Sequence, residues 1–330
     1  MRRPNKLVAV TFDAWPGMRP AFEDVLGASA EVVYLNDLEG ADRHRTIGAA
    51  DALLAWNPSG ELRPGELSSA GSIGLIQLLS AGADHVRLED IPESITVASN
   101  AGAYAEPMAE HVLAMALALA KRLPQRHAEL ARGQFRQLVP NRSVAGSVCG
   151  ILGFGGIGKA TGRRFGALGA KLHAINTSGR TDDPVEFVGT LGDLDQVLAV
   201  SDFLVIALPL TKVTRGLIGR RELALMKDDA ILVNVARGAI VEEAALYEHL
   251  LGHPDFMAGI DAWWHEPRRN GEFRTEHPFF ELPNLLGSPH NSAIVPGIQV
   301  EAARRAGENV LRYLRGEPVG GVVRREDYEE

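Results

Sequence analysis

The run Gly153-Phe154-Gly155-Gly156-Ile157-Gly158 lies almost at the midpoint of a 330-residue chain, and both its spacing and its position constrain the fold. It follows an apolar stretch at 147–152 and precedes a helix-patterned run at 157–168. Strand, tight turn and helix form the context in which G-x-G-x-x-G becomes a dinucleotide-binding turn. Gly153 permits the turn, Gly155 lets a pyrophosphate approach the main chain, and Gly158 lets the helix pack closely on the strand. The unpaired N–H groups and positive dipole end of that helix then face the phosphates. Nearly half the chain precedes the motif, so a second structural unit must stand upstream of it.

Bulk composition narrows the class. The chain is 45% apolar and 23% charged, which is ordinary for a globular protein and argues against disorder or coiled coil. A net charge of −8 disfavours a nucleic-acid partner, which would select a basic face. The single cysteine, Cys149, sits in the apolar strand before the glycine turn, so an intramolecular disulfide and a Cys-rich zinc site are excluded. The apolar run after the basic N-terminus is too short for a signal core, and the most apolar helix candidate, 108–120, is too short to span a bilayer. These features predict a soluble cytoplasmic protein with no membrane partner.

Short apolar strands at 6–10, 32–35, 52–56, 75–79 and 95–98 alternate with helical or polar stretches, which predicts a parallel sheet covered by helices. Residues 106–121 read as a helix apolar on nearly every side, buried between domains or subunits and ended by Pro124. The following stretch, 125–142, reads as an exposed arm. From 147 the alternation resumes, with strands at 147–152, 171–175, 203–207, 231–234, 257–260 and near 285–286, the pattern of a Rossmann-type sheet of about six strands. An amphipathic helix at 297–315 could return to the first unit. The chain is therefore read as α/β with two Rossmann-like or flavodoxin-like parallel sheets. A cofactor domain, 102–290, is inserted into a discontinuous substrate domain, 1–101 with 291–330.

The second strand of the cofactor unit ends at Asn176-Thr177-Ser178-Gly179-Arg180, where an acid would hold the adenosine ribose. Its absence removes repulsion of a 2′-phosphate, and Asn176, Thr177, Ser178 and Arg180 offer hydrogen bonds and a charge, which favours NADP over NAD. Three polar groups follow later strands: Arg237, Glu266 and His290. Together they suit reduction of a keto acid. An arginine fork binds a carboxylate, a histidine donates a proton as hydride arrives, and a glutamate orients the imidazole. His111 reads as a hydrogen-bonded packing residue rather than a ligand, and His249 and His253 flank a helix end where a cation is favourable. No H-E-x-x-H, carboxylate cluster or nucleophile elbow appears, and no metal is assigned.

With these motifs, the chain resembles the D-isomer-specific 2-hydroxyacid dehydrogenases from about Asp51 onward. The resemblance rests on Leu79-Ser80-Ala81-Gly82-Ala83-Asp84, Asn100-Ala101-Gly102, Ala109-Glu110-His111, the glycine turn, Leu208-Pro209-Leu210-Thr211, Asn234-Val235-Ala236-Arg237-Gly238, Asp261 through Glu266-Pro267, Pro283-Asn284 and Ser288-Pro289-His290. It implies that Arg237 orients the substrate, His290 is the acid/base and Glu266 its partner. Main-chain N–H groups of Ser80, Ala81 and Gly82 would hold the substrate carboxylate. Leu208, Pro209, Ala236, Asp261 and His290 would join the glycine turn around the cofactor, with Asp261 on the carboxamide. Glyoxylate or hydroxypyruvate is the expected substrate, and the 106–142 region would form a homodimer contact. Glu266 stands where formate dehydrogenases carry glutamine, which argues against formate. Trp263-Trp264-His265 is bulkier than the family pattern, and this tandem is expected at the domain interface or on the pocket wall, with Trp56-Asn57-Pro58 a further wall. The alternative is a dinucleotide-sensing binding protein of the corepressor type, disfavoured by the acidic charge.

Overall fold

The computed structural model describes residues 6–68 and 70–328. It divides into two compact units: one runs to Tyr104 and resumes at Val295, the other spans Ala105–Ile294. The joints fall three and four residues beyond those expected from sequence. At the second joint the cause is visible, because the main-chain N–H groups of Asn291 and Ser292 are held by the Asp261 carboxylate of the second unit.

The first unit begins with β1 (Leu7–Val10), α1 (Met18–Leu26), β2 (Glu31–Tyr34), α2 (Gly40–Ala49), β3 (Ala52–Ala55), α3 (Pro58–Glu61), β4 (Leu75–Leu78) and β5 (Thr96–Ala98). All five strands are parallel, in the order β2-β1-β3-β4-β5. Strands β3 and β4 are buried on both faces, which explains their largely apolar sequences, Ala-Leu-Leu-Ala and Leu-Ile-Gln-Leu. After β3, Trp56 packs edge-on against Phe12 at 6.2 Å, and Glu61 accepts from the N–H groups of Trp56 and Asn57, so this turn is fixed from within.

The second unit carries α4 (Ala105–Ala120), α5 (Leu123–Ala131), β6 (Val148–Leu152), α6 (Gly156–Ala167), β7 (Lys171–Ile175), β8 (Phe187–Gly189), α7 (Leu194–Val200), β9 (Phe203–Ile206), α8 (Arg220–Leu225), β10 (Ile231–Asn234), α9 (Glu243–Gly252), β11 (Met257–Ile260), α10 (Pro267–Asn270) and β12 (Leu285–Gly287). Its seven parallel strands run β12-β11-β10-β9-β6-β7-β8. The strand beyond the expected six is β8, three residues at the sheet edge with too short an apolar run to stand out in sequence. The order reverses between β6 and β9, which opens a crevice at the carboxyl ends of these strands, where ligands of such sheets bind.

Two expectations are corrected here. Helix α4 is not ended by Pro124: it stops at Ala120, Arg122 turns left-handed at φ 51°, and Pro124 lies in the first turn of α5, where the N–H it lacks would have no helix partner. The segment after Pro124 is accordingly helical to Ala131 rather than an arm throughout. Helix α4 packs on the sheet of its own unit, where the Met115 and Leu119 side chains come within 3.4 Å of the place a Cβ on Gly259 of β11 would take. Cys149 is fully buried, and burial pushes its thiol well above the usual range. The chain then returns to the first unit with α11 (Ile298–Leu314), which lays Ala303, Ala306 and Val310 on α1 and the sheet. Among the described residues, no helix is long and apolar enough to cross a membrane.

Candidate active site

The glycine turn leaves β6 at the crevice. Gly153 adopts φ 95°, and a Cβ there would stand 2.6 Å from the Ala207 carbonyl carbon, at the end of β9. A Cβ on Gly158 would lie 2.2 Å from the Gly153 carbonyl oxygen. Gly155 is the opposite case: a Cβ would meet no atom within 4 Å, so the space over its main chain is open. The first-turn N–H groups of α6, from Gly156 and Ile157 onward, have no partner inside the helix and point to that space. Phe154 is buried and Ile157 packs on Ala105, Ala109 and Ala160, so the turn is rigid beneath its open face. Leu208 and Pro209 extend from β9, braced by the Thr214 hydroxyl on the Pro209 carbonyl at 2.7 Å.

At the end of β7 the Asn176 carboxamide closes its own loop. Its Oδ1 accepts from the Ser178 and Gly179 N–H groups at 3.0 and 2.7 Å, and its Nδ2 donates to the Arg180 carbonyl at 2.8 Å. Asn176 is thus a scaffold for the loop, while Thr177, Ser178 and Arg180 are exposed. No described residue pairs with the Arg180 guanidinium.

The other functional side chains follow three neighbouring strands whose ends are in register, Asn234 beside Ile260 and Ile260 beside Gly287. After β10, the Asn234 side chain bridges the Ala236 N–H and the Arg237 carbonyl, which sets the backbone that presents Arg237. The Arg237 guanidinium donates to the Ala236 carbonyl at 2.8 Å, with Ala236 buried beneath it. A Cβ on Gly238 would stand 2.4 Å from the Trp263 carbonyl carbon, so only glycine lets the Arg237 loop approach the loop after β11 this closely.

After β11, Glu266 accepts from the Trp263 N–H at 2.8 Å and holds His290 Nδ1 at 2.8 Å from each carboxylate oxygen. Burial would raise the Glu266 carboxyl, but the His290 hydrogen bond and charge, the Trp263 N–H and the Arg269 charge together hold it below the usual range. An ionised Glu266 can only accept, so the ring hydrogen sits on Nδ1 and Nε2 is left for chemistry. His290 itself lies at φ 52°, in the left-handed region that is uncommon outside glycine although histidine enters it more often than most residues. Asp261 holds the loop in that conformation. It is fully buried, and its carboxylate accepts from the Ser288 hydroxyl at 2.6 Å and the Asn291 and Ser292 N–H groups at 3.1 and 3.2 Å, gripping the loop on both sides of His290. Burial opposes this charge, yet hydrogen bonds from Ser288 and Ser292 and the nearby His111 and His290 rings keep the carboxyl below the usual range.

His111 is hydrogen-bonded as expected from sequence: its Nε2 lies 2.9 Å from the Ser288 hydroxyl, which extends the Asp261 anchor. The Ser-Pro-His and Ala-Glu-His pairs were visible in sequence, but their meeting was not. The tandem tryptophans pack inside the second unit: Trp263 donates Nε1–H to the Ser288 carbonyl at 2.8 Å and lies against Phe273 and Phe280, and Trp264 donates to the Val241 carbonyl and stacks on Phe279. Both indole N–H groups are spent on main chain, so the pair buttresses the His290 and Arg237 loops. In the first unit, Ser80, Ala81 and Gly82 follow β4, and the Ser80 hydroxyl donates to the Gly82 carbonyl at 2.8 Å. Among the described residues nothing accepts from the main-chain N–H groups of these three.

A doubly wound sheet with this glycine turn, and a carboxylate-held imidazole in the same unit, defines a nucleotide-binding domain of the dehydrogenase kind. Residues 113–292 match the family model described as D-isomer specific 2-hydroxyacid dehydrogenase, NAD binding domain. The chain is similar to a Thermotoga maritima protein named hydroxypyruvate reductase, 32% identical over 75% of this chain and 78% of that one. It is also similar to a Methanocaldococcus jannaschii D-3-phosphoglycerate dehydrogenase, 30% identical over 92% of this chain but spanning only 58% of the relative. A solved Xanthobacter autotrophicus Py2 structure, a D-isomer specific 2-hydroxyacid dehydrogenase in complex with NADPH and MES, superposes with a TM-score of 0.79 at 27% identity, covering 98% of this chain and 100% of that one. The chain belongs to the D-isomer-specific 2-hydroxyacid dehydrogenase family.

Proposed function

We propose that this protein catalyses the NAD(P)H-dependent reduction of a small 2-keto acid, glyoxylate or hydroxypyruvate, to the D-2-hydroxy acid. The observation that carries the reading is the His290–Glu266 pair, in which Nδ1 is tied to the carboxylate at 2.8 Å and Nε2 is left to handle a proton. The nicotinamide, when bound, supplies the hydride. His290 gives its Nε2 proton to the keto oxygen, and the ionised Glu266 stabilises the imidazolium before that transfer and fixes the ring throughout. Arg237 matches a carboxylate with its planar fork and polarises the adjacent carbonyl. The unspent N–H groups of Ser80, Ala81 and Gly82 support their reading as a carboxylate cradle.

The residues present suit a dinucleotide. The open face of Gly155 and the first turn of α6 would take the pyrophosphate, and the exposed Thr177, Ser178 and Arg180 favour NADP(H) at the 2′ position. The NADPH complex of the Xanthobacter relative supports that preference. The hydroxypyruvate reductase name of the Thermotoga relative supports the substrate class. We test the reading by following oxidation of NADH and NADPH separately against glyoxylate, hydroxypyruvate, pyruvate, phenylpyruvate and phosphohydroxypyruvate. Turnover with the first two substrates is expected to exceed the others, and cofactor binding without turnover on any of them would refute it.

Self-association through the 106–142 region belongs to the same reading. Leu123, Leu130, Phe135, Leu138 and Val139 are exposed there, Phe135 by 78% and Leu138 by 94%, a run of apolar surface uncommon on a monomer. Light scattering should show a dimer that Phe135→Ser with Leu138→Ser converts to monomer, and a wild-type monomer at micromolar concentration would sink this part.

A further inference from the structure

The second unit gathers another set of ligating side chains that the proposed reaction does not use. Glu243 opens α9, His265 follows the tandem tryptophans, and Glu276 lies in the segment that leads to Phe279. One ligand atom from each lies within 4.8 Å of the other two. His265 Nε2 stands 3.7 Å from Glu276 Oε1, beyond hydrogen-bond range. It is near the spacing of two ligands on one ion, since bonds of about 2.0–2.1 Å at a tetrahedral angle put ligand atoms about 3.3–3.4 Å apart.

The three segments are tied together independently of any ion. The Glu276 N–H donates to Glu243 Oε1 at 2.7 Å, His265 makes an antiparallel bridge with Arg274, and the Tyr247 ring, one turn along α9 from Glu243, stacks on His277 at 4.9 Å. The ligand set is therefore pre-organised by main-chain and ring contacts on neighbouring residues.

We propose that Glu243, His265 and Glu276 form a binding site for a divalent transition-metal cation, with Zn2+ the best match. One imidazole and two carboxylates, with water in the fourth position, are ordinary zinc ligands, and the imidazole selects against Mg2+ and Ca2+. The ion is a clamp and takes no part in hydride or proton transfer. His265 immediately precedes Glu266, so an ion held by His265 ties the loop that presents Glu266 to α9 and to the 274–277 segment. This site does not depend on the identity of the substrate.

The test uses untagged, chelator-treated full-length protein. Zn2+ is titrated calorimetrically, Co2+ is added as a visible probe, and melting is followed with and without Zn2+, for wild type, His265→Gln and Glu276→Gln. The expected result is one Zn2+ per chain, a four-coordinate Co2+ spectrum and a raised melting temperature. Each variant should bind at least about 10–100-fold more weakly, as loss of metal-site partners does. Without metal, Glu276→Gln should melt as wild type does, because its side chain is 61% exposed. Wild-type protein that takes no Zn2+ below about 1 mM, or variants that bind as tightly as wild type, would overturn the proposal. If a variant fails to fold, the wild-type Co2+ spectrum decides: octahedral or absent absorption overturns the site.

Discussion

The two glycines Gly155 and Gly158 stand three residues apart in one turn, yet alanine at each should do opposite things. At Gly158 the new Cβ would lie 2.2 Å from the Gly153 carbonyl oxygen and 3.0 Å from its carbon. Ordinary C···O contacts are about 3.3–3.6 Å, so helix and turn must part by roughly 1 Å. Both partners are main chain, and no side-chain rotation can relieve the clash. Overpacking of this kind costs about 1–3 kcal/mol, and the upper end is appropriate when backbone must move. For a unit of this size about 3 kcal/mol lowers the melting temperature by roughly 6–12 °C. At Gly155, no heavy atom lies within 4 Å of the new methyl, and φ is −96°, open to any residue. The apo-protein should lose about 1 kcal/mol or less, the cost of alanine for glycine at a helix N-cap. The methyl would instead occupy the face where a pyrophosphate meets the main chain. Loss of one charge-assisted hydrogen bond, about 1.5–3 kcal/mol, weakens binding roughly 10- to 150-fold. Melting curves without cofactor and fluorescence titration with NADH and NADPH separate the two effects. Gly155→Ala binding either cofactor within threefold of wild type would refute the placement of the pyrophosphate over that turn.

Three further outcomes follow from the same geometry. His290→Ala should abolish turnover while leaving cofactor affinity within about threefold, whereas Glu266→Gln, which removes the anion 2.8 Å from Nδ1, should move the failure of reduction to lower pH; a pH–rate profile identical to wild type would break the pairing. Arg180→Ala should weaken NADPH by about tenfold and leave NADH nearly unchanged, and equal loss of both would remove Arg180 from the 2′ position. His249 is pushed down to about 4 by burial and then by the stacked His253 ring. Its folded value lies below its unfolded value of about 6.5, so the stability it contributes is full above that pH and is lost as pH falls toward 4, about 3 kcal/mol before solvent screening and roughly half that after it. His249→Phe should flatten the acid limb of the stability curve between pH 6.5 and 4, and an unchanged limb would contradict a neutral buried ring.

His249 also shows how a one-dimensional reading goes astray. A histidine near a helix C-terminus reads as a cation on the dipole, but its stacking on His253 at 4.1 Å and its edge contact with Phe256 desolvate it instead. Which influence wins depends on neighbours that sequence separation does not reveal.

The sequence by itself determined the mid-chain glycine turn, with a distinct job for each of Gly153, Gly155 and Gly158, because Gly153 needs a left-handed backbone and the other two need the space a side chain would fill. It also marked Arg237, Glu266 and His290 as polar groups placed where strands end, and left no acid at Asn176. Local pattern suffices for such features because the period of a strand and the steric rule for glycine act within a few residues. Only the tertiary structure decided what holds the histidine. The parallel register of β10, β11 and β12 brings Gly238 against Trp263 and Glu266 onto His290, and it buries Asp261 where it can grip Ser288, Asn291 and Ser292. The same register makes the tandem tryptophans a buttress for the His290 and Arg237 loops, and the packing of α9 against the 274–277 segment set Glu243, His265 and Glu276 around one point. These are contacts between residues far apart in sequence, and only the packing of the sheet and its loops sets their distances.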